Sequence, residues 1–287
     1  MQDILRDFST PTLVRAIKKN WMDYYHYLGR APNAELRAGP HLTWLITGIP
    51  DAFNNVVLQT RLPPEGAGEI IDQALAHFRS RNLTRLSWWT EAGAQETDLK
   101  NQLVAHGLTF NEGGTGMAAD LAILKDLPPP PGLTIVPVEN KEMLKQWVHI
   151  VNIGFGLPAW SESIWFDLFA DLVFELPLRN YLAVLNGQPV GTSQLFLGAG
   201  VAGIYNVTCI PAARGQGIGA AITSAPMLDA RNLGFHISIL QASHLGYNAY
   251  RRLGFQDFGK LSHYRWENET KQPDAPQTKE TPVAPGA

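Results

Sequence analysis

Between Val207 and Ala220 the chain runs from a β-branched segment through Pro211 into a turn with glycines at 215, 217 and 219. A helical pattern follows at once. Proline cannot donate to a sheet ladder, so the strand stops there, and the glycines permit a tight turn into the helix. The result is a strand–turn–helix unit. It directs the unpaired N–H groups of a helix N-terminus, and the positive end of its dipole, at one point. Such a point is suited to a diphosphate.

The neighbouring residues narrow the diphosphate. No Gly-Lys-Ser/Thr follows, so this is not the P-loop of nucleoside triphosphate enzymes. A dinucleotide site needs an acidic residue at the end of the next strand, about 20 residues on. Here that strand ends Gln241-Ala242-Ser243. The formal net charge is −3 with no basic block, so nucleic acid is not an expected partner. Cys209 is the single cysteine, so no internal disulfide or cysteine metal cluster forms. The N-terminal residues have no signal-peptide pattern, and the apolar stretch from Leu195 to Ile210 is interrupted by Gly198, Gly200, Gly203 and Asn206. It reads as two buried strands and not as a membrane span, so a cytoplasmic protein that does not enter membranes is expected.

At 287 residues, 45% of them hydrophobic, the chain has enough apolar surface for two domains. Pro128 to Pro131 and Gly132 break it in the middle, since a proline run carries neither helix nor sheet across it. The expected organisation is a domain at 1–127, a linker at 128–132, a second domain at 133–267 and a disordered tail at 268–287, where aromatic residues are absent. The second domain reads as strand 133–138, helices 141–154 and 162–174, strands 181–185, 190–197 and 201–209, a helix from about 216, strand 236–241, helix 245–253 and strand 258–266. Asn186-Gly187 marks a tight hairpin. The first domain repeats this order faintly: helix 13–28, strands 43–49 and 55–62, helix 69–81, strand 86–90 and helix 96–106. Arg81-Asn82-Leu83 echoes Arg231-Asn232-Leu233, and His106-Gly107-Leu108-Thr109-Phe110 echoes Leu253-Gly254-Phe255.

The Arg214-x-x-Gly217-x-Gly219 turn, followed by Tyr250-Arg251-Arg252-Leu253-Gly254-Phe255, resembles the GNAT superfamily of acyl-CoA-dependent N-acyltransferases over about 133–266. The resemblance implies tandem GNAT-like α/β domains, each a mixed, mainly antiparallel sheet flanked by helices. It implies acetyl-CoA as co-substrate and no metal. The diphosphate would lie on the turn of Arg214, Gly215, Gln216, Gly217, Ile218, Gly219 and Ala220, and the pantetheine along Val207, Thr208 and Cys209. Tyr250 would be the acid that protonates the departing thiolate. A thiol of pKa about 8.5 and a phenol of about 10 suit that transfer. Tyr247, Tyr250 and Leu253 also fall near helical spacing, so a plain core stripe competes for Tyr250. Arg214 reads equally as a solvated charge, and Cys209 as a buried packing thiol.

Pro226 falls inside the helix after the turn and is expected to kink or shorten it beyond the first two turns. In the first domain the matching turn, Pro63 to Gly68, lacks the Arg/Gln and carries Glu65, and Leu103 stands where Tyr250 stands in the second. The first domain therefore reads as a GNAT-like unit without cofactor chemistry. The resemblance implies direct acetyl transfer to a primary amine of a small molecule or peptide, by a monomer or homodimer; a non-catalytic acyl-CoA sensor is the alternative. Acceptor-site candidates are Phe155, Trp160 and Trp165 as an aromatic wall. Glu162, Asp167, Asp171, Glu175, His236 and His244 are base candidates that also read as surface or structural groups.

Overall fold

Apolar spacing sets the helices and glycine-bearing turns set the hairpins. The computed structural model describes residues 3–63, 65–90, 96–124 and 128–268. The first half comprises α1 (Thr10–Leu28), β1 (Glu35–Ala38), β2 (Leu42–Ile46), β3 (Asn55–Thr60), α2 (Ala67–Ser80), β4 (Arg85–Trp89), α3 (Glu96–Ala105) and β5 (Thr109–Asp120). The second comprises β6 (Leu133–Pro137), α4 (Lys141–Phe155), α5 (Ser161–Phe169), β7 (Leu178–Leu185), β8 (Gln188–Gly198) and β9 (Val201–Cys209). It continues with α6 (Ile218–Asn232), β10 (Ile237–Ala242), α7 (Tyr247–Arg252) and β11 (Gln256–Glu267). The β7–β8 turn has Asn186 at φ +50° and Gly187 at φ +83°, the two left-handed residues that a tight hairpin turn needs.

The strands form one sheet in the order β1-β2-β3-β4-β11-β5-β10-β9-β8-β7-β6. Pairing is antiparallel except between β3 and β4 and between β9 and β10. The two halves trade their last strands. β5 of the first half pairs with β10 of the second (Leu240 opposite Met117), and β11 pairs with β4 (Tyr264 opposite Trp88). β5 and β11 then pair with each other and close the seam (His263 opposite Asn111). The sequence reading gave two separate sheets and no strand at 109–120; the chain instead builds one sheet, because each half's last strand finds its ladder in the other half.

Helices cover both faces. α1 and α4 share one face, where Trp21, Tyr24 and Leu28 pack with Leu144, Trp147, Val148 and Val151. Thus α1, first in sequence, lies on β8 and β9 of the second half. α6 covers the opposite face through Ile218, Ile222, Met227 and Ala230. α2 packs on Tyr264 and Trp266 of the exchanged strand β11. Of the helix expected at 162–174, α5 ends at Phe169. Of the tail, Asn268 donates its N–H to the Thr84 carbonyl at 2.9 Å, and 269–287 lie outside the described residues. Among the described residues no helix is long and apolar enough to cross a membrane.

α6 runs unbroken through Pro226. The expected shortening does not occur, because the carbonyl of Ile222, which a proline four residues on cannot engage, accepts the Ser193 hydroxyl of β8 at 2.7 Å.

Candidate active site

β9 and β10 pair at Ala202–Ser238 and Gly203–Ile239 and then diverge. From Ile204 to Cys209 the edge of β9 that faces β10 is left without its strand partner. On its other edge β9 carries a bulge: Tyr205 lies opposite Gln194, and the next registered pair is Thr208 with Thr192. Asn206, inside the bulge, has φ +49°, in the left-handed region that asparagine tolerates better than most residues. The Thr192 hydroxyl donates to the Asn206 carbonyl at 2.9 Å.

At the end of β9 a single turn at Pro211–Ala213 leads into the glycine segment. Gly217 caps α6 at φ +80°, ψ −4°, where a side chain would be strained. The helix begins its ladder with Ala221 N–H donating to Gly217 at 3.2 Å. The N–H groups of Ile218, Gly219 and Ala220 precede that bond and face outward from the first turn. A Cβ added at Gly219 would meet nothing within 4 Å, so this side of the helix opens to free space. Gln216 turns back, its amide donating to Ala212. Arg214 is exposed, yet its guanidinium is engaged by main-chain carbonyls: its Nε donates to the Cys209 carbonyl at 3.2 Å and its Nη2 to the Gly154 carbonyl at 2.9 Å. It ties the end of β9 to the last turn of α4, where a cation is favoured by the helix dipole.

Tyr250 enters from α7 and is buried against Phe255. Its hydroxyl has no hydrogen-bond partner among the described residues. Burial first, and then the neighbouring Cys209, push its pKa above the ordinary phenol value, so it stays protonated. Burial pushes the Cys209 thiol up to about 11 against the opposing effect of Arg214, and a thiol so held is not a nucleophile near neutrality. Gly154 closes the site on the α4 side: a Cβ there would come within 2.4 Å of the Thr208 side chain. Phe155 and Trp160 are exposed nearby in sequence, at the α4–α5 connection.

The first half keeps the outline of this arrangement. β3 and β4 pair at Val56–Ser87 and Val57–Trp88, and Gly66 caps α2 at φ +80°, ψ 5°, close to the conformation of Gly217. Its fork is bridged from within, since Trp88 Nε1 donates to Thr60 Oγ1 at 2.8 Å. Leu103 is fully buried and Glu65 is exposed beside the turn.

Residues 144–255 match the family model described as the acetyltransferase (GNAT) family. Residues 144–255 are thus a GNAT-family domain. The fold of most of the chain is shared with a GCN5-related N-acetyltransferase from Kribbella flavida, at 19% identity and a TM-score of 0.62, covering 86% of this chain and 95% of that one. It is shared also with a tandem GNAT protein from the clavulanic acid biosynthesis pathway (15% identity, TM-score 0.55, 93% of this chain and 98% of that one). A GCN5-related N-acetyltransferase from Sphaerobacter thermophilus gives 18% identity and a TM-score of 0.58, covering 93% and 95%. No curated protein matches the sequence.

In this GNAT domain the acceptor-side candidates separate. Trp165 is fully buried, stacked on Phe169 at 5.7 Å and edge-on to Trp147, so it is core and lines no pocket. Glu162 accepts from or pairs with His149, Oε1 to Nδ1 at 3.0 Å. Asp171 lies 3.9 Å from Lys141, and Asp167 and Glu175 are exposed. His244 is exposed, while His236 Nε2 is buried without a partner among the described residues. The sequence reading missed a polar knot beside the fork, in which Asn20, Tyr24, Asn180, Gln194 and Tyr205 are buried and Asn206 is half-buried. Its signal was available. Asn20 and Tyr24 fall on the same helical stripe as Leu13 and Ile17, and Asn206 interrupts the run of β-formers from Ile204 to Thr208.

Proposed function

We propose that the chain is an N-acetyltransferase that passes an acetyl group from acetyl-CoA directly to a primary amine of a small molecule or peptide. The observation that carries this reading is the convergence at the end of β9. An unpaired strand edge, an outward-facing helix N-terminus and a buried protonated tyrosine all meet the Cys209 region. The residues suit the co-substrate. The N–H groups of Ile218, Gly219 and Ala220 would take the diphosphate, with open space at Gly219 for close approach. The free edge of Val207, Thr208 and Cys209 would pair with the pantetheine amides as an added strand.

The chemistry then needs little else. A neutral amine attacks the thioester carbonyl carbon, and the C–N bond forms as the carbonyl π pair moves onto oxygen. A main-chain N–H at the β9 edge stabilises that oxyanion. Collapse breaks the C–S bond, the sulfur leaves with the pair, and Tyr250 gives it a proton. The proton lost from the amine passes to water or a base at the acceptor side. Titration with CoA, followed by thiol release from acetyl-CoA over a panel of polyamines, amino acids, aminoglycosides and peptides, tests the reading. Turnover on an amine is expected. CoA binding without turnover on any amine, unaffected by Tyr250→Phe, would make the chain an acyl-CoA sensor, and no CoA binding would remove both readings.

A further inference from the structure

The bulge of β9 is held from outside its own half. Asn206 Nδ2 donates to the Tyr24 hydroxyl at 3.2 Å and to Gln194 Oε1 at 3.1 Å. The same Tyr24 hydroxyl donates to Gln194 Oε1 at 2.7 Å, and Gln194 Nε2 donates to Asn180 Oδ1 at 2.6 Å. Tyr24 belongs to α1, in the first half. Its ring stacks on Tyr205, the residue before Asn206, with centroids 4.2 Å apart and planes 6° apart. One turn earlier on α1, Asn20 accepts the Tyr205 hydroxyl at 2.7 Å and donates to the Gly198 carbonyl at 2.8 Å, at the β8–β9 turn.

These contacts have one common effect. A non-glycine residue in the left-handed region holds that conformation only where its surroundings fix it. Here the fixing groups are Thr192 and Gln194 from the neighbouring strand and Tyr24 from the first half. The bulge decides which edge the N–H groups of Val207, Thr208 and Cys209 present to the fork, because an extra residue resets the alternation of the strand. Tyr24, Asn180, Gln194 and Tyr205 are buried and Asn206 is half-buried, so a partner lost from the network leaves a polar group with restricted access to water.

We propose that the first half acts in the reaction through α1: Tyr24 is a positioning residue that sets the β9 bulge and so aims the main chain of Val207 to Cys209 at the donor. This rests on the reading of the fork as the acyl-CoA site. It gives the half without cofactor chemistry a task that a sheet partner alone would not perform.

The test uses the full chain and CoA itself. Tyr24→Phe keeps the stacked ring and removes the hydroxyl. Faster amide hydrogen exchange over 204–209 in the ligand-free protein is expected, with a loss of CoA affinity of about tenfold, the scale of one buried hydrogen bond. Tyr27→Phe, on the same helix with its hydroxyl on the Leu172 carbonyl, controls for a general loss of stability and leaves both readouts unchanged. Asn206→Gly in the Tyr24→Phe background takes the left-handed conformation unaided and restores affinity. Unchanged exchange over 204–209 in Tyr24→Phe overturns the proposal, as does an equal effect of Tyr27→Phe. Failure of the wild-type chain to bind CoA removes the donor reading, while exchange in the ligand-free protein still decides the role of Tyr24.

Discussion

The hydroxyl of Ser193 occupies the place of the N–H that Pro226 lacks, donating at 2.7 Å to the Ile222 carbonyl. A proline in the third turn of a helix costs about 3 kcal/mol when its carbonyl partner is left empty. Ser193→Ala should therefore cost ~1–3 kcal/mol in denaturant unfolding. In a Pro226→Ala background the helix makes its own bond to Ile222, and the same substitution should cost under about 1 kcal/mol. Equal costs in the two backgrounds would show that the two residues are not coupled.

Gly217 and Gly219 answer different questions. Gly217 has φ +80°, and alanine there should lose ~1–2 kcal/mol of stability along with CoA binding. Gly219 is inside α6, and its Cβ would enter open space. Gly219→Ala should leave stability unchanged or raise it by ~1 kcal/mol. It should still weaken CoA by tenfold or more, since the methyl occupies the approach to the N–H groups. Thermal unfolding and calorimetry on the two variants separate the effects; a Gly219→Ala chain that binds CoA normally places the diphosphate elsewhere.

Tyr250 is buried, raised above its ordinary pKa and without a hydrogen-bond partner among the described residues. Its proton is present throughout the neutral and mildly alkaline range. Tyr250→Phe should lower kcat by ~10²-fold, the scale of general acid catalysis, with CoA affinity kept. The alkaline limb of the wild-type kcat profile should show no loss below about pH 10, where an ordinary phenol titrates. Equal kcat in the variant would return Tyr250 to the core stripe it shares with Leu253.

The second half was legible because its signals are local. Asn186-Gly187, the glycine turn at 215–219 and the apolar stripe of α4 each fix structure through neighbouring residues. β5 was not legible. Gly113, Gly114 and Gly116 give it poor strand propensity, and it is a strand because β10 and β11 pair with its two edges. Strand exchange has no local signature at all, since alternation reports burial and not the identity of the partner. Trp165 and Arg214 show the same limit at the level of single residues. An aromatic four residues from Phe169 suits a pocket wall and a core equally, and an arginine beside a phosphate turn suits an anion and a pair of carbonyls equally.

His263 stands on β11 between Trp89 and Phe53, with ring centroids 4.8 and 5.5 Å away. Neither imidazole nitrogen has a partner among the described residues. Burial first, and then Arg265, lower its pKa to about 4, below the ordinary 6.5. The unfolded chain therefore takes up a proton as pH falls through 6.5, and the folded chain does not until about 4. Stability should fall across that window by up to ~1.4 kcal/mol per pH unit and be insensitive to this group above it. Unfolding of the wild type and of His263→Leu from pH 7.5 to 4.5 measures the difference; parallel curves would show that His263 is not responsible.

The exchange of β5 and β11 predicts that the two halves fold as one unit. A piece ending at 127 lacks β11, so β4 has no neighbour on that side and Tyr264 and Trp266 are missing from the core under α2. A piece beginning at 128 lacks β5 and α1, which exposes the edge of β10 and uncovers Trp147 and its neighbours. Exposed edges and uncovered apolar faces favour aggregation over folding. Each piece expressed alone should be insoluble or should unfold without a cooperative transition. Co-expressed, the two should purify together in equal amounts and unfold once, near the transition of the intact chain. Independent cooperative unfolding of both pieces would mean that the linker at 128–132 divides two self-sufficient domains and that the shared sheet contributes little to either.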